Sequence, residues 1–213
     1  MEKFKVLDDL YLFRSYNKFI DLTFNQYLLI GEAPLLIHTG TKDVALELLP
    51  ELKNILGNRS LSYIFVSHFE ADECGGLSCL LEQYPEAKTV CSMLTARQFT
   101  GFGLVSNAMA VNPGEFLSTG DFELKFVNYP SEIHLKEGLM AFEEKRGLLF
   151  SSDLFTSRGQ VTEAIVNANW QEAVNKLSLE RIPSPTALKA VQQDLINLAV
   201  KVVAPGHGPC IRV

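Results

Sequence analysis

The chain has 213 residues, 47% of them hydrophobic and 21% charged, with a formal net charge of −6, a composition suited to one globular domain with a full core. Its basic residues are scattered rather than clustered, which argues against nucleic acid or an anionic membrane surface as the main partner. No apolar run approaches the roughly 18 residues a membrane helix needs. Met1-Glu2-Lys3 opens a mixed segment rather than a signal peptide, and Cys74, Cys79, Cys91 and Cys210 form no CxxC pair. The expectation is a cytoplasmic chain with reduced thiols.

In chain order, short β-rich segments are expected at residues 3–6, 11–15, 26–30 and 35–38, the last two flanking a Gly31-Glu32-Ala33-Pro34 turn. A helix follows over 42–55, with Val44, Leu48, Leu52 and Ile55 on one stripe and Gly57 as its stop. Strand 62–67, helix 76–83 and strand 89–92 complete the first half. The second half offers a strand over 123–127 and a hairpin of 139–143 with 148–151 around Glu144-Lys145-Arg146-Gly147. A helix over 170–177 comes next, then one starting at Ser184-Pro185 and running to about 199. Its expected stripe is Leu188, Val191, Leu195 and Leu198. A last strand covers 200–203. This β-rich-then-helical order, given twice, predicts a single α/β domain over 1–213, with two packed sheets and helices outside.

The stretch Val66-Ser67-His68-Phe69-Glu70-Ala71-Asp72-Glu73-Cys74-Gly75-Gly76 places four acid or imidazole groups in six residues directly after an apolar strand. Such a cluster repels itself unless a cation neutralises it. In an extended segment alternate positions share a side, so His68, Glu70 and Asp72 can converge on one ion. An extended loop therefore fits them better than a helix, with Gly75-Gly76 permitting a tight turn afterwards. All four histidines (His38, His68, His134, His207) fall at the ends of expected strands, as does Asp153. Strand ends are where rigid backbone meets loop chemistry, and His, Glu and Asp arriving from several loops are metal ligands by type.

Taken together, His-x-Glu-x-Asp (His68, Glu70, Asp72), the distant His134, Ser151-Ser152-Asp153-Leu154-Phe155 and Pro205-Gly206-His207-Gly208 resemble the metallo-β-lactamase superfamily. Within it, the chain looks like the oxygen-binding di-iron branch related to flavodiiron proteins. The resemblance runs from about Asn25 to Gly208 and implies a four-layer αβ/βα sandwich. It implies His68, Glu70 and His134 on one metal, Asp72 and His207 on the other, and Asp153 bridging. Superfamily hydrolases carry His where this chain has Glu70. Added carboxylates suit hard, redox-active iron, so two iron ions are expected, with manganese or zinc left open by donor type.

Two positions depart from the pattern. Glu73 stands where the superfamily commonly has histidine; it is either a fourth ligand of the second metal, an acid behind the ligands, or a charge favoured by a helix N-terminus. His38 replaces the usual aspartate, either supporting a ligand by hydrogen bonding or lying as a satisfied core histidine. Cys74 reads as buried filler, with oxidation beside bound oxygen as its alternative. Phe69 and Trp170 read as core, with a role as pocket walls the alternative.

The chain ends six residues after His207 and shows no Gly-rich phosphate loop, so no flavodoxin domain is expected. Electrons are then expected from an external flavoprotein or a rubredoxin-type donor. The resemblance allows a homodimer. The functional expectation is a non-haem di-iron protein that binds O2, for sensing or for O2 or NO reduction. The alternative is a dinuclear hydrolase of a phosphoester, thioester or similar bond.

Overall fold

Hairpins and crossovers alternate along the chain and dictate the strand directions seen in the computed structural model, described over residues 1–130 and 138–213. The first sheet begins as a meander of β1 (Glu2–Leu7), β2 (Leu10–Asn17), β3 (Leu22–Leu29) and β4 (Leu35–Ile37), each antiparallel to the last. Helix α1 (Lys42–Leu56) then crosses over, and β5 (Tyr63–Phe65) returns parallel to β4, as helical crossovers require. A one-turn helix α2 (Ala71–Cys74) and α3 (Leu77–Gln83) lead to β6 (Lys88–Ser92); α4 (Met93–Gly101) leads to β7 (Ala108–Val111), both strands again parallel.

The second sheet starts with β8 (Phe116–Ser118), β9 (Glu123–Tyr129), β10 (Gly138–Glu143) and β11 (Leu148–Phe150), all antiparallel. It is completed by β12 (Ile165–Asn167), helices α5 (Trp170–Asn175) and α6 (Pro185–Ile196), β13 (Val202–Ala204) and β14 (Cys210–Arg212). Its spatial order is β12-β14-β13-β11-β10-β9-β8, with β13 parallel to β11.

The two-residue period of each strand separates three apolar layers. Leu35 and Ile37 of β4 face the space between the sheets, with Phe65, Phe126, Ala141, Phe150 and Ala204. Leu36 faces the other way, onto Leu48 and Leu52 of α1. In β11, Leu148 and Phe150 point between the sheets while Leu149 meets Val191 and Leu195 of α6. Fully burying one such side chain contributes about 1.5–3 kcal/mol, so both strands are locked in register from two sides. The result is the expected αβ/βα sandwich. Among the described residues no helix is long and apolar enough to cross a membrane.

Local signals explain the helix ends. Thr41 caps α1 by accepting from Val44 N, and Gly57 ends it at φ 62°, donating to Lys53 O. Ser184 caps α6 ahead of Pro185. The buried stripe of α1 is Ala45, Leu48, Leu52 and Leu56, one position round from the expected Val44 and Ile55. Val44 is drawn away because it packs on the turn at Gly40, whose φ of +72° leaves room for that side chain only because it has no Cβ. The last central strand starts at Val202 rather than 200, because Lys201 N and Val202 N both donate to Gly147 O in the β10–β11 hairpin turn.

Candidate metal centre

His38, His68, Asp153 and His207 each follow a parallel strand: β4, β5, β11 and β13 respectively. These strands end at the same rim of the two sheets, so the rigid core delivers all four side chains to one place. The expected extended loop holds only as far as Glu70, which has φ −133° and ψ 164°. From Ala71 the chain turns helical, with Cys74 N donating to Glu70 O at 3.0 Å and Gly75 N to Ala71 O at 2.9 Å. Asp72 and Glu73 therefore leave one short helical turn. Neither following glycine has positive φ; a Cβ on Gly76 would lie 2.2 Å from that of Ala45. Close approach to α1 is the reason for glycine there.

The side chains converge. Asp153 places Oδ2 3.3 Å from His68 Nε2 and Oδ1 3.4 Å from His207 Nε2. Glu70 Oε1 lies 3.8 Å and Glu73 Oε2 3.9 Å from His68 Nε2, and Asp72 Oδ2 lies 3.5 Å from His207 Nε2. Two donors about 2.1 Å from a shared ion sit about 3.0–3.5 Å apart, so the Asp153 and Asp72 separations suit ligands sharing an ion, while Glu70 and Glu73 stand a few tenths of an ångström wider of His68. Two overlapping groups of ligand atoms, each within 4.8 Å of one another, are His68, Glu70, Glu73 and Asp72, Glu73, His207. His134 lies outside the described residues.

Supports fix both histidine rings. His207 Nδ1 donates to Thr23 O at 2.9 Å, leaving Nε2 as the ligand atom. The ring of Phe24 packs edge-on against His207, 5.2 Å between centroids. His68 Nδ1 meets Ser67 Oγ at 3.0 Å and Ser152 Oγ at 3.2 Å, and Ser67 Oγ meets His38 Nε2 at 2.9 Å. With His68 Nε2 kept for metal, Nδ1–H donates to Ser67 and Ser67 donates to His38, an assignment drawn from the network. His38 is thus linked to the candidate ligand His68 through one hydroxyl. It and Ser152 take left-handed backbone, at φ 60° and 54°, which non-glycine residues adopt mainly where surrounding contacts enforce it. The sequence signal for Ser67 and Ser152 was only their adjacency to candidate ligands.

A further network, missed in the sequence, holds the His207 loop. Asn25 Nδ2 donates to Pro205 O and Gly208 O, and Tyr27 Oη donates to Pro205 O. The buried Arg14 guanidinium donates to Gly208 O and Glu163 O. Cys74 is buried, its Sγ donating to Glu70 O at 3.0 Å, and burial pushes its thiol up to about 12. Phe69 stacks on Phe102 and meets Phe99 edge-on, while Trp170 tilts against Phe155 and donates to Leu195 O. Both aromatics sit in the helix-side cores.

The electrostatics of the site are strongly coupled. Burial raises Glu73 well above the usual carboxylate range, and the charges of Asp153 and Asp72 push it the same way. Burial opposes charging His68 and His207, yet Asp153 outweighs it and raises both imidazoles. The same pair holds Asp153 below its ordinary value against burial. Burial, reinforced by the neighbouring His68, lowers His38 to about 3 and keeps it neutral. Glu73 Oε2 and Asp153 Oδ1 make no well-directed hydrogen bond among the described residues. Buried carboxylates without donors are costly unless a cation meets them, so these residues fit a pair of metal ions. Beside them opens a cavity of about 690 Å³ lined by Tyr16, Phe19, Phe24, Thr41 and Val44, with Phe24 as the wall shared with His207.

Known proteins resemble this chain in sequence and in fold. In sequence, the chain is 27% identical over 201 residues to a nitric oxide reductase of Moorella thermoacetica, covering 87% of this chain and 49% of that protein. It is 25% identical over 199 residues to an anaerobic nitric oxide reductase flavorubredoxin of Salmonella typhi, covering 87% and 41%. The chain thus spans about half or less of these relatives. In structure, it superposes on rubredoxin oxygen:oxidoreductase from Desulfovibrio gigas with a TM-score of 0.82 at 20% identity, over 99% of this chain and 57% of that one. The flavodiiron core of Flv1 from Synechocystis gives 0.81 at 19% identity, over 99% and 57%. The profile of the ODP family beta lactamases matches residues 22–208, a stretch of sequence that contains every candidate ligand, and the chain belongs to that family.

Proposed function

We propose that this chain holds a non-haem di-iron centre and uses it to reduce O2 or NO with electrons from an external flavoprotein or rubredoxin-type donor. The observation that carries the reading is Asp153, whose two oxygens reach two separate imidazoles at 3.3 and 3.4 Å, as a bridging carboxylate must. His68, Glu70 and His134 would hold one ion, Asp72 and His207 the other. The ions would supply electrons and open coordination positions for a diatomic molecule. The protein's own part is to fix the imidazoles through Ser67, Ser152 and Thr23, to keep His38 neutral, and to admit the small molecule past Phe24. The carboxylate share of the donors favours iron over zinc. The relatives named above are reductases, and they lend the hydrolase alternative no support.

The test is metal content and reactivity. Protein from iron-replete cells should carry about two iron ions per chain, and stoichiometric zinc would sink the iron assignment. Two ferrous ions hold two electrons, whereas reducing O2 to water requires four. Chemically reduced protein mixed with O2 in stopped flow should therefore oxidise once and stall, cycling only when NADH is supplied together with a flavin reductase partner. Reduced protein that ignores both O2 and NO would refute the proposal.

A further inference from the structure

Six residues make up the ligand set proposed above, and Glu73 is not among them. It is nonetheless the most enclosed acid of the site. Its side chain is 2% exposed, against 38% for Glu70, 18% for Asp72 and 16% for Asp153. The α2 turn aims it inward, and Thr39 N anchors that turn by donating to Glu73 O at 2.8 Å. A Glu73 oxygen lies within 4.8 Å of the donor atoms of His68 and Glu70 on one side and of Asp72 and His207 on the other. Its Oε2 has no hydrogen-bond partner among the described residues. An acid retained for structure finds a donor when buried, and one retained for a helix dipole stays at the surface. Among the described residues Glu73 has neither a surface position nor a well-directed donor, and the side chain nearest to sharing a proton with it is another acid, Asp72.

We propose that Glu73 is an additional metal ligand, reaching both metal positions from the second carboxylate of the Asp72-Glu73 pair. The proposal rests on the di-metal reading above. It makes the donor set unusually anionic: Glu70, Asp72, Glu73 and Asp153 match the four positive charges of two divalent ions while the imidazoles stay neutral. Losing electrons raises the charge on the ions, so an anionic group here favours the oxidised state more than the imidazole common at this position in the superfamily. Glu73 therefore lowers the reduction potential of the centre and adds to its preference for hard cations.

The experiment compares the full chain with Glu73→Gln, which keeps shape and removes charge, and Glu73→His, which restores an imidazole. Metal-free protein is titrated anaerobically with Co(II), read by its visible ligand-field bands, and iron-loaded protein is poised potentiometrically. Glu73→Gln should weaken at least one ion by more than about 100-fold, beyond the roughly 10–100-fold cost of losing a group that only hydrogen-bonds to a ligand. Glu73→His should hold two ions with altered Co(II) bands and a higher reduction potential. Wild-type affinity, bands and potential in the variants would overturn the proposal, and so would a smaller loss with unchanged bands. If Glu73→Gln fails to fold, the bands and potential of Glu73→His decide alone. A wild-type chain that takes up no metal pair fails the di-metal reading itself. Two ions in the wild type with an indifferent Glu73 fail only this inference.

Discussion

Asp153→Asn tests the centre most directly, because it removes a charge lying between two imidazoles and keeps the shape. In the metal-free protein His68 and His207 are raised although burial is the largest single influence on each, and it pushes both down. Asp153 is what reverses the sign. A unit charge at the observed 3.3–3.4 Å is worth at most about 5 kcal/mol at an effective dielectric of about 20. That corresponds to about 3–4 pKa units, an upper bound because Asp153 keeps some solvent contact and Glu70 and Asp72 remain. Both imidazoles are therefore expected to titrate lower in Asp153→Asn than in the parent protein, since burial is left to act on them with less opposition. The assay is a two-dimensional NMR titration of the imidazole nitrogens in metal-free protein. With four histidines in the chain the spectrum is resolvable, and His38, held near 3 by burial, stays neutral as an internal control. If His68 and His207 titrate in Asp153→Asn where they do in the parent protein, Asp153 does not couple them and its bridging role is wrong.

His38→Ala should weaken metal binding by about 10–100-fold without removing a ligand, measured by competition with a chromophoric chelator; unchanged affinity would make His38 plain filler. Metal-free protein should also lose stability as pH rises above the ordinary imidazole value of 6.5. The folded state holds protons on His68, His207 and Glu73, whose pKa values lie above their unfolded ones. Their contribution is full below those unfolded values and fades as pH climbs through the folded ones. Above 6.5 His38 is neutral in both states and drops out. Melting temperatures with and without a chelator check this: the chelated protein should fall over that range, and the metal-loaded protein should not.

What could be read from the sequence, and what could not, follows from where each constraint resides. His68, Asp153 and His207 were legible because each ends an apolar run, and a polar group at a strand terminus advertises itself. The inward turn of Glu73 was not legible. A four-residue helix has too little periodicity to register, and what sets it is the contact between Glu73 O and Thr39 N, 34 residues away in sequence. The short strands β7, β8, β12 and β14, three or four residues each and partly exposed, escaped for the same reason: their pairing, rather than their pattern, makes them strands. Helix α4 lacked a clean apolar stripe, though Ser92 caps it by accepting from Thr95 N. Arg14, amid the apolar residues of β2, was a visible anomaly whose partners come from residues 163 and 208.

That last network shows how the two sheets and the site depend on one another. His207 follows β13 of the second sheet, but Asn25, Tyr27 and Arg14, which hold its loop, belong to β3 and β2 of the first. Thr23 O, which orients the His207 ring, also belongs to β3. In the other direction, Ser152 beyond β11 donates to Ser67 beyond β5 and so steadies His68. Each sheet therefore positions a candidate ligand carried by the other. The full constellation, with Asp153 and His207 facing His68 and Asp72, is assembled only where the two sheets meet. A metal pair held as proposed between His68 and His207 would bind the docked state and not the separated one, so its binding free energy would add to the packing of the whole domain. The same dependence confines the strain of His38 and Ser152 to the seam, where contacts from both sheets enforce it.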